Sequence, residues 1–171
     1  MSGKTRAIGC MDAFKQAMRG VAGTVAIVTA SEDGQPVGMA ATSFCSVSME
    51  PPSLLVCVNK AASMLQAMRQ SRRLCLNILQ SDNHAVCSYF GGQYAQEERF
   101  KFHAWSATAE GLPFLKDAQA VVVGTIVEEI PHGTHTVFIA NVEDVYSDHP
   151  SPDPLLYVNG GYAKAVCLTA A

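Results

Sequence analysis

QAVVVGTIVEEIPHGTHTVFIANVEDVY (Gln119–Tyr146) holds two long runs rich in β-branched residues, Gln119–Ile130 and Thr134–Tyr146, around Pro131-His132-Gly133. Such runs on either side of a short Pro/Gly break predict a long antiparallel hairpin. Upstream, Thr24–Thr29 is a β-branched strand ending at the turn signal Asp33-Gly34, and Thr42–Ser48 alternates imperfectly. Pro51-Pro52 breaks the chain before Ser53–Asn59, an apolar strand, and Arg73–Leu79 and Leu155–Val158 are two more. Helices are predicted over Met11–Arg19, Ala61–Arg72 and Ser81–Phe90, the last with Ser81 as N-cap, and a short one over Gln96–Phe100. Residues 91–118 are otherwise an irregular connection whose aromatic content argues for packing. Regular β-α-β alternation is missing, so the pattern predicts a mainly β fold, an antiparallel barrel with added helices.

The chain has 171 residues, 49% apolar and 16% charged, with a net charge of −3. That length suits one domain spanning residues 1–171, with 1–10 as a candidate disordered leader. The balance lacks the basic excess of a nucleic-acid binder. No apolar run reaches the roughly 18 residues of a membrane span, and no secretory signal opens the chain, so the expected location is the cytoplasm. Six cysteines occur without a C-x-x-C pair; Cys45, Cys57, Cys75 and Cys87 have apolar or small neighbours and are expected to be structural thiols. The many apolar strand positions exceed what one small barrel interior can hide, which points to a dimer.

Nucleotide and hydrolase signatures are absent, and His132 and His135 have no cysteine or carboxylate at ligand spacing, so no metal site is expected. Chemistry here would arrive with a cofactor. Two segments stand out. Thr42-Ser43-Phe44-Cys45-Ser46-Val47-Ser48 places four hydroxyls within seven residues of strand-like sequence. It suits a sheet edge facing water, and equally a wall of hydrogen-bonding groups along a ligand. Asn59-Lys60-Ala61-Ala62-Ser63 lies at a strand-to-helix junction. Taken alone it reads first as a helix start capped by Asn59 or Ser63, and second as a phosphate seat.

In order along the chain, Gly38–Ser48, Pro51–Lys60, Arg73–Leu79, Phe90-Gly91-Gly92, Glu98-Arg99-Phe100, Trp105, Gly133-Thr134-His135 with Phe138, and Leu155-Leu156-Tyr157 resemble the short-chain flavin reductases. These are the reductase components of two-component flavin monooxygenases. The resemblance implies an FMN-binding split barrel of Greek-key type, homodimeric, with flavin near the subunit interface. It implies that Thr42, Ser43, Phe44, Cys45, Ser46, Val47 and Ser48 contact the ring and ribityl chain, and Asn59, Lys60 and Ser63 the phosphate. Arg99 and Phe100 match the family's Arg-Phe pair near the flavin, and Tyr157 an aromatic at the cofactor mouth. His135 matches the residue near the nicotinamide; alone, it would pass for a surface histidine. The chain departs from the family at Ala140, where glycine is frequent, and over Ser147–Pro154, whose proline and aspartate suggest an open rim.

The implied activity is NAD(P)H-dependent reduction of FMN, with FAD also accommodated, by NADH or NADPH, with reduced flavin released to a partner monooxygenase. Hydride transfer between cofactors needs no protein nucleophile, which agrees with the missing triad. A second reading keeps the FMN bound and passes electrons to another acceptor, such as a Co(II) corrin. A third is a non-catalytic FMN-binding electron carrier. Neither nucleic acid nor membrane is an expected partner.

Overall fold

The computed structural model describes residues 9–147 and 151–168. Helix α1 (Cys10–Arg19) leads into β1 (Gly23–Thr24), β2 (Ala26–Glu32), β3 (Gln35–Ala41), β4 (Phe44–Met49) and β5 (Pro52–Asn59). There follow α2 (Met64–Ser71), β6 (Arg73–Ile78), a 3₁₀ turn (Ser81–Asn83) running into α3 (His84–Phe90), and α4 (Gln96–Arg99). The rest comprises β7 (Trp105–Ala107), β8 (Pro113–Leu115), β9 (Ala120–His132), β10 (His135–Tyr146), β11 (Leu155–Val158) and β12 (Gly161–Lys164).

Seven strands form one antiparallel sheet in the order β3-β2-β6-β9-β10-β5-β4. The sheet curls into a split barrel in which β3 and β4 form no ladder with each other, although only Thr42 and Ser43 separate them in the chain. The mainly β, antiparallel expectation is met. β2 and β6 are buried on both faces, which explains their unbroken apolar sequence. Ala26, Val28, Leu74 and Leu76 face the barrel interior with Val56, Phe138 and Met68 of α2. Ile27, Cys75, Val121 and Val123 face a second core closed by α3 and the β7–β8 hairpin through Val86, Phe90 and Leu115. Two layers of core thus absorb much of the apolar sequence, while Val47, Met49, Val127, Ile130 and Val145 on the strands stay exposed. Asn77 pins the second layer: its Nδ2 donates to Ile27 O at 2.9 Å, and its Oδ1 accepts from Leu115 N at 2.8 Å.

Several local expectations are corrected. β3 was not expected: Pro36, Gly38, Ala40 and Ala41 give it little strand character, and it forms because β2 offers a full ladder. Ser81 lies inside the 3₁₀ turn rather than capping it, since Gln80 and Asn83 make the reciprocal capping contacts. The long hairpin turns at Gly133-Thr134, so Pro131 and His132 belong to β9. Residues 91–118 hold β7 and β8. Of the rim over 147–154, residues 148–150 lie outside the described residues, while Asp153 is tied down: its amide donates to Gln119 Oε1 and its carbonyl accepts from Ser81 N, both at 2.8 Å. Of the leader, 1–8 lie outside the described residues and Cys10 begins α1. No helix among the described residues is long and apolar enough to cross a membrane.

Candidate functional site

β4 is an edge strand paired only with β5, and Cys45, Ser46, Val47 and Met49 on it are exposed. Cys57 N donates to Ser43 O at 2.9 Å, so this side of the strand is engaged while its far side pairs with no strand among the described residues. The ladder shifts register between Ser46 and Ser48, around Val47. The run expected to form one wall lines two clefts. Thr42 and Ser43 border a cleft of about 590 Å³ with Tyr157 and with Phe14, Met18 and Arg19 of α1. Phe44, Cys45, Ser46 and Ser48 border one of about 330 Å³ at the barrel end, floored by Leu76, Val122 and Val142.

The second segment folds onto the tip of the long hairpin. Asn59 pairs across the sheet with His135. Lys60 N donates to Thr134 O at 2.9 Å, and Lys60 Nζ donates to Gly133 O at 2.8 Å. Gly133 has φ +50°, a left-handed conformation suited to glycine. An ammonium has three donors, so two on Lys60 remain for a ligand, and Lys60 has no carboxylate partner among the described residues. Asn59 Oδ1 accepts from Ala61 N at 2.9 Å, closing a local turn, while Ser63 at the N-cap position makes no capping bond. No side chain among the described residues caps the first turn of α2. Between Gln35 and Gln70 the sequence has one acidic residue, Glu50, so this donor set suits an anion.

His135 is exposed, with Nδ1 2.9 Å from Thr134 Oγ1, a contact that sets the ring's rotation. Arg99 and Phe100 act through β3. Arg99 Nη1 donates to Gly38 O at 2.7 Å and Nε to Tyr94 O at 3.0 Å, and burial holds its guanidinium below the usual arginine range. Phe100 packs edge-on against Phe90 and Trp105, with centroids 5.2 and 4.9 Å apart. Sequence reasoning passed over Gln96, which links Ser63 to Gly38 and stands at no position that pattern marks, and gave Thr134, which holds His135, no role of its own within the Gly133-Thr134-His135 motif.

The thiols divide. Cys75 and Cys87 are buried, and burial pushes the Cys75 thiol up to about 12. Cys57 is half-buried and raised by the same cause, with Cys45 adding to it. Cys45 itself is exposed, so the expectation of a buried structural thiol fails there: its strand is an edge. Among the described residues no group of side chains could hold a metal ion.

Residues 18–165 match the family described as flavin reductase like domain. The chain is 34% identical over 150 residues to the FMN reductase (NADH) RutF of Pseudomonas syringae pv. syringae (strain B728a), covering 88% of this chain and 84% of that protein. It is 37% identical over 155 residues to the reductase component of the FADH(2)-dependent resorcinol hydroxylase of Rhizobium sp. (strain MTP-10005), covering 89% and 86%. Among solved structures, the flavin reductase domain protein from Arthrobacter sp. FB24 superposes with a TM-score of 0.86 at 27% identity, covering 94% of this chain and 98% of that one.

Proposed function

The chain belongs to the flavin reductase-like family, and from that premise we propose that it is an NADH-dependent flavin oxidoreductase that reduces FMN and supplies the reduced flavin to a partner oxygenase. One observation carries the reading: an uncapped helix start, a lysine with spare donors and the His135 hairpin are fastened into one corner beside an open strand edge. Lys60, Asn59 and Ser63 would hold the flavin phosphate, and the unpaired groups of β4 would meet the ring and ribityl chain. His135 orients the nicotinamide, and Tyr157 flanks the mouth. Bound flavin supplies the two-electron acceptor for the nicotinamide's hydride. The residues contribute position: no side chain here needs to move a proton, and the thiols that burial raises stay protonated at neutral pH.

Anaerobic titration with NADH tests this directly. Flavin absorbance should bleach stoichiometrically with bound FMN and turn over with excess FMN. A flavin that NADH leaves oxidised sinks the assignment; one bleached only when bound makes the protein a fixed relay. In the same assay, His135→Ala should raise the KM for NADH and leave FMN affinity intact, and unchanged kinetics would remove His135 from the nicotinamide site.

The protein works as a homodimer. The support is α1, which buries no residue although Met11, Phe14 and Met18 share one apolar face, exposed by 66%, 62% and 48%. Beyond the bond from Asn159 N to Arg19 O at its end and the open cleft it borders, the described residues leave this face uncovered, and a second copy is the cover consistent with it. Light scattering should give twice the chain mass, falling to one on Phe14→Glu; a wild-type monomer at micromolar concentration refutes the dimer.

A further inference from the structure

We propose that Gln96 is a positioning residue that fixes the polarity of the Ser63 hydroxyl, leaving the hydroxyl proton to be donated to the terminal phosphate of FMN; the proposal rests on the phosphate seat described above. Gln96 opens α4, 33 residues from Ser63 and 58 from Gly38, and touches both. The Gly38 amide can only donate, and it lies 3.1 Å from Gln96 Oε1, so the orientation of the carboxamide is set by the backbone. Nε2 therefore faces Ser63, 2.7 Å from Oγ. Nε2 can only donate, so Oγ accepts there. The single proton of the hydroxyl is left for another acceptor, and among the described residues it has none.

The surroundings say what that acceptor is. Ser63 sits at the start of α2, where no side chain caps the first turn, and three residues after Lys60, whose ammonium has unspent donors. An anion held by the same cation and helix end would be the acceptor within reach of that proton. Without Gln96 the hydroxyl rotates freely and can turn its proton to a backbone carbonyl or to water. The carboxamide contributes no charge; it removes the orientations that do not serve the phosphate.

Riboflavin, which carries the same ring without the phosphate, separates this role from simple support of the fold. Gln96→Glu keeps the Gly38 bond through one carboxylate oxygen. The other oxygen then accepts from Ser63, turning the proton away from the phosphate and adding a negative charge beside it. The Kd for FMN should rise about tenfold or more, the worth of a hydrogen bond to a charged group, while the Kd for riboflavin stays where it was. Gln96→Met removes the charge from consideration: it should lower the preference for FMN over riboflavin when Ser63 is present and leave that preference untouched in a Ser63→Ala background. Equal losses for FMN and riboflavin, or an effect of Gln96→Met that persists without Ser63, would overturn the proposal and leave Gln96 a brace. A wild-type protein that binds riboflavin as tightly as FMN would instead overturn the phosphate seat, and the proposal with it.

Discussion

Lys60→Glu is expected to weaken FMN binding by a factor on the order of 10²–10³, from the loss of a charge-assisted hydrogen bond and the repulsion that replaces it. The lysine directly follows β5, with its Nζ 2.8 Å from Gly133 O, and this tether makes the effect large. A lysine on an open surface loses side-chain entropy when it meets a ligand. Here the stem is already held against the hairpin tip, and the entropy is spent on folding. Lys60→Met, with a similar stem, separates the contributions: it should lose affinity by the smaller factor of the attraction alone. The dependence of FMN affinity on ionic strength should also flatten in Lys60→Met, because the cation that salt screens is gone. Isothermal titration at two salt concentrations decides it. An FMN Kd in Lys60→Glu within about threefold of wild type, well under 1 kcal/mol, would mean that the phosphate does not sit at this corner.

The ordered motifs of the sequence made the family legible, and the physical pattern made most strands legible. β5 reads from Ser53–Asn59 because its inward residues Leu54, Val56 and Val58 are all buried. The turn at Asp33-Gly34 reads because both residues take positive φ, a conformation that aspartate tolerates and glycine prefers. β3 does not read, and the reason lies outside it. Its glycine and alanines are poor strand formers, and at Gly38 the rings of Phe90 and Phe100 leave no room for a Cβ. Local propensity cannot show a pressure that arrives from α3 and α4.

The site was legible to a similar depth. Residues named by the ordered motifs fall around β4, the end of β5 and the tip of the long hairpin, and the bonds of Lys60 to Gly133 and Thr134 join two motifs more than 70 positions apart. What could not be read is which side of the site each residue serves. Thr42 and Ser43, in the link before β4, open on one cleft, and Ser46 and Ser48 of β4 on another. Arg99 and Phe100 act on Gly38 and its surroundings. A motif records that a residue is required, and the contact across the fold says for what.

Gly38→Val is expected to cost at least the upper end of the ~1–3 kcal/mol range for overpacking, lowering the melting temperature by about 6–12 °C. A Cβ at this position would lie 2.7 Å from Phe90 Cε1 and 3.1 Å from Phe100 Cζ. Neither ring can yield cheaply: Phe90 is 3% exposed, and Phe90, Phe100 and Trp105 hold one another edge-on or tilted. The strand must therefore move instead. Moving β3 strains the bond from Arg99 to the Gly38 carbonyl and the Gly38 amide bond to Gln96, the second of which continues through Gln96 to Ser63 at the start of α2. Stability and FMN affinity should fall together in Gly38→Val, whereas Lys60→Glu should lose affinity with little change in melting temperature. Gly38→Ala lies between, since it adds the clashing atom without the branches. If Gly38→Ala melts with the wild type, the rings give way freely, and the aromatic layer cannot be what positions the phosphate end of the site.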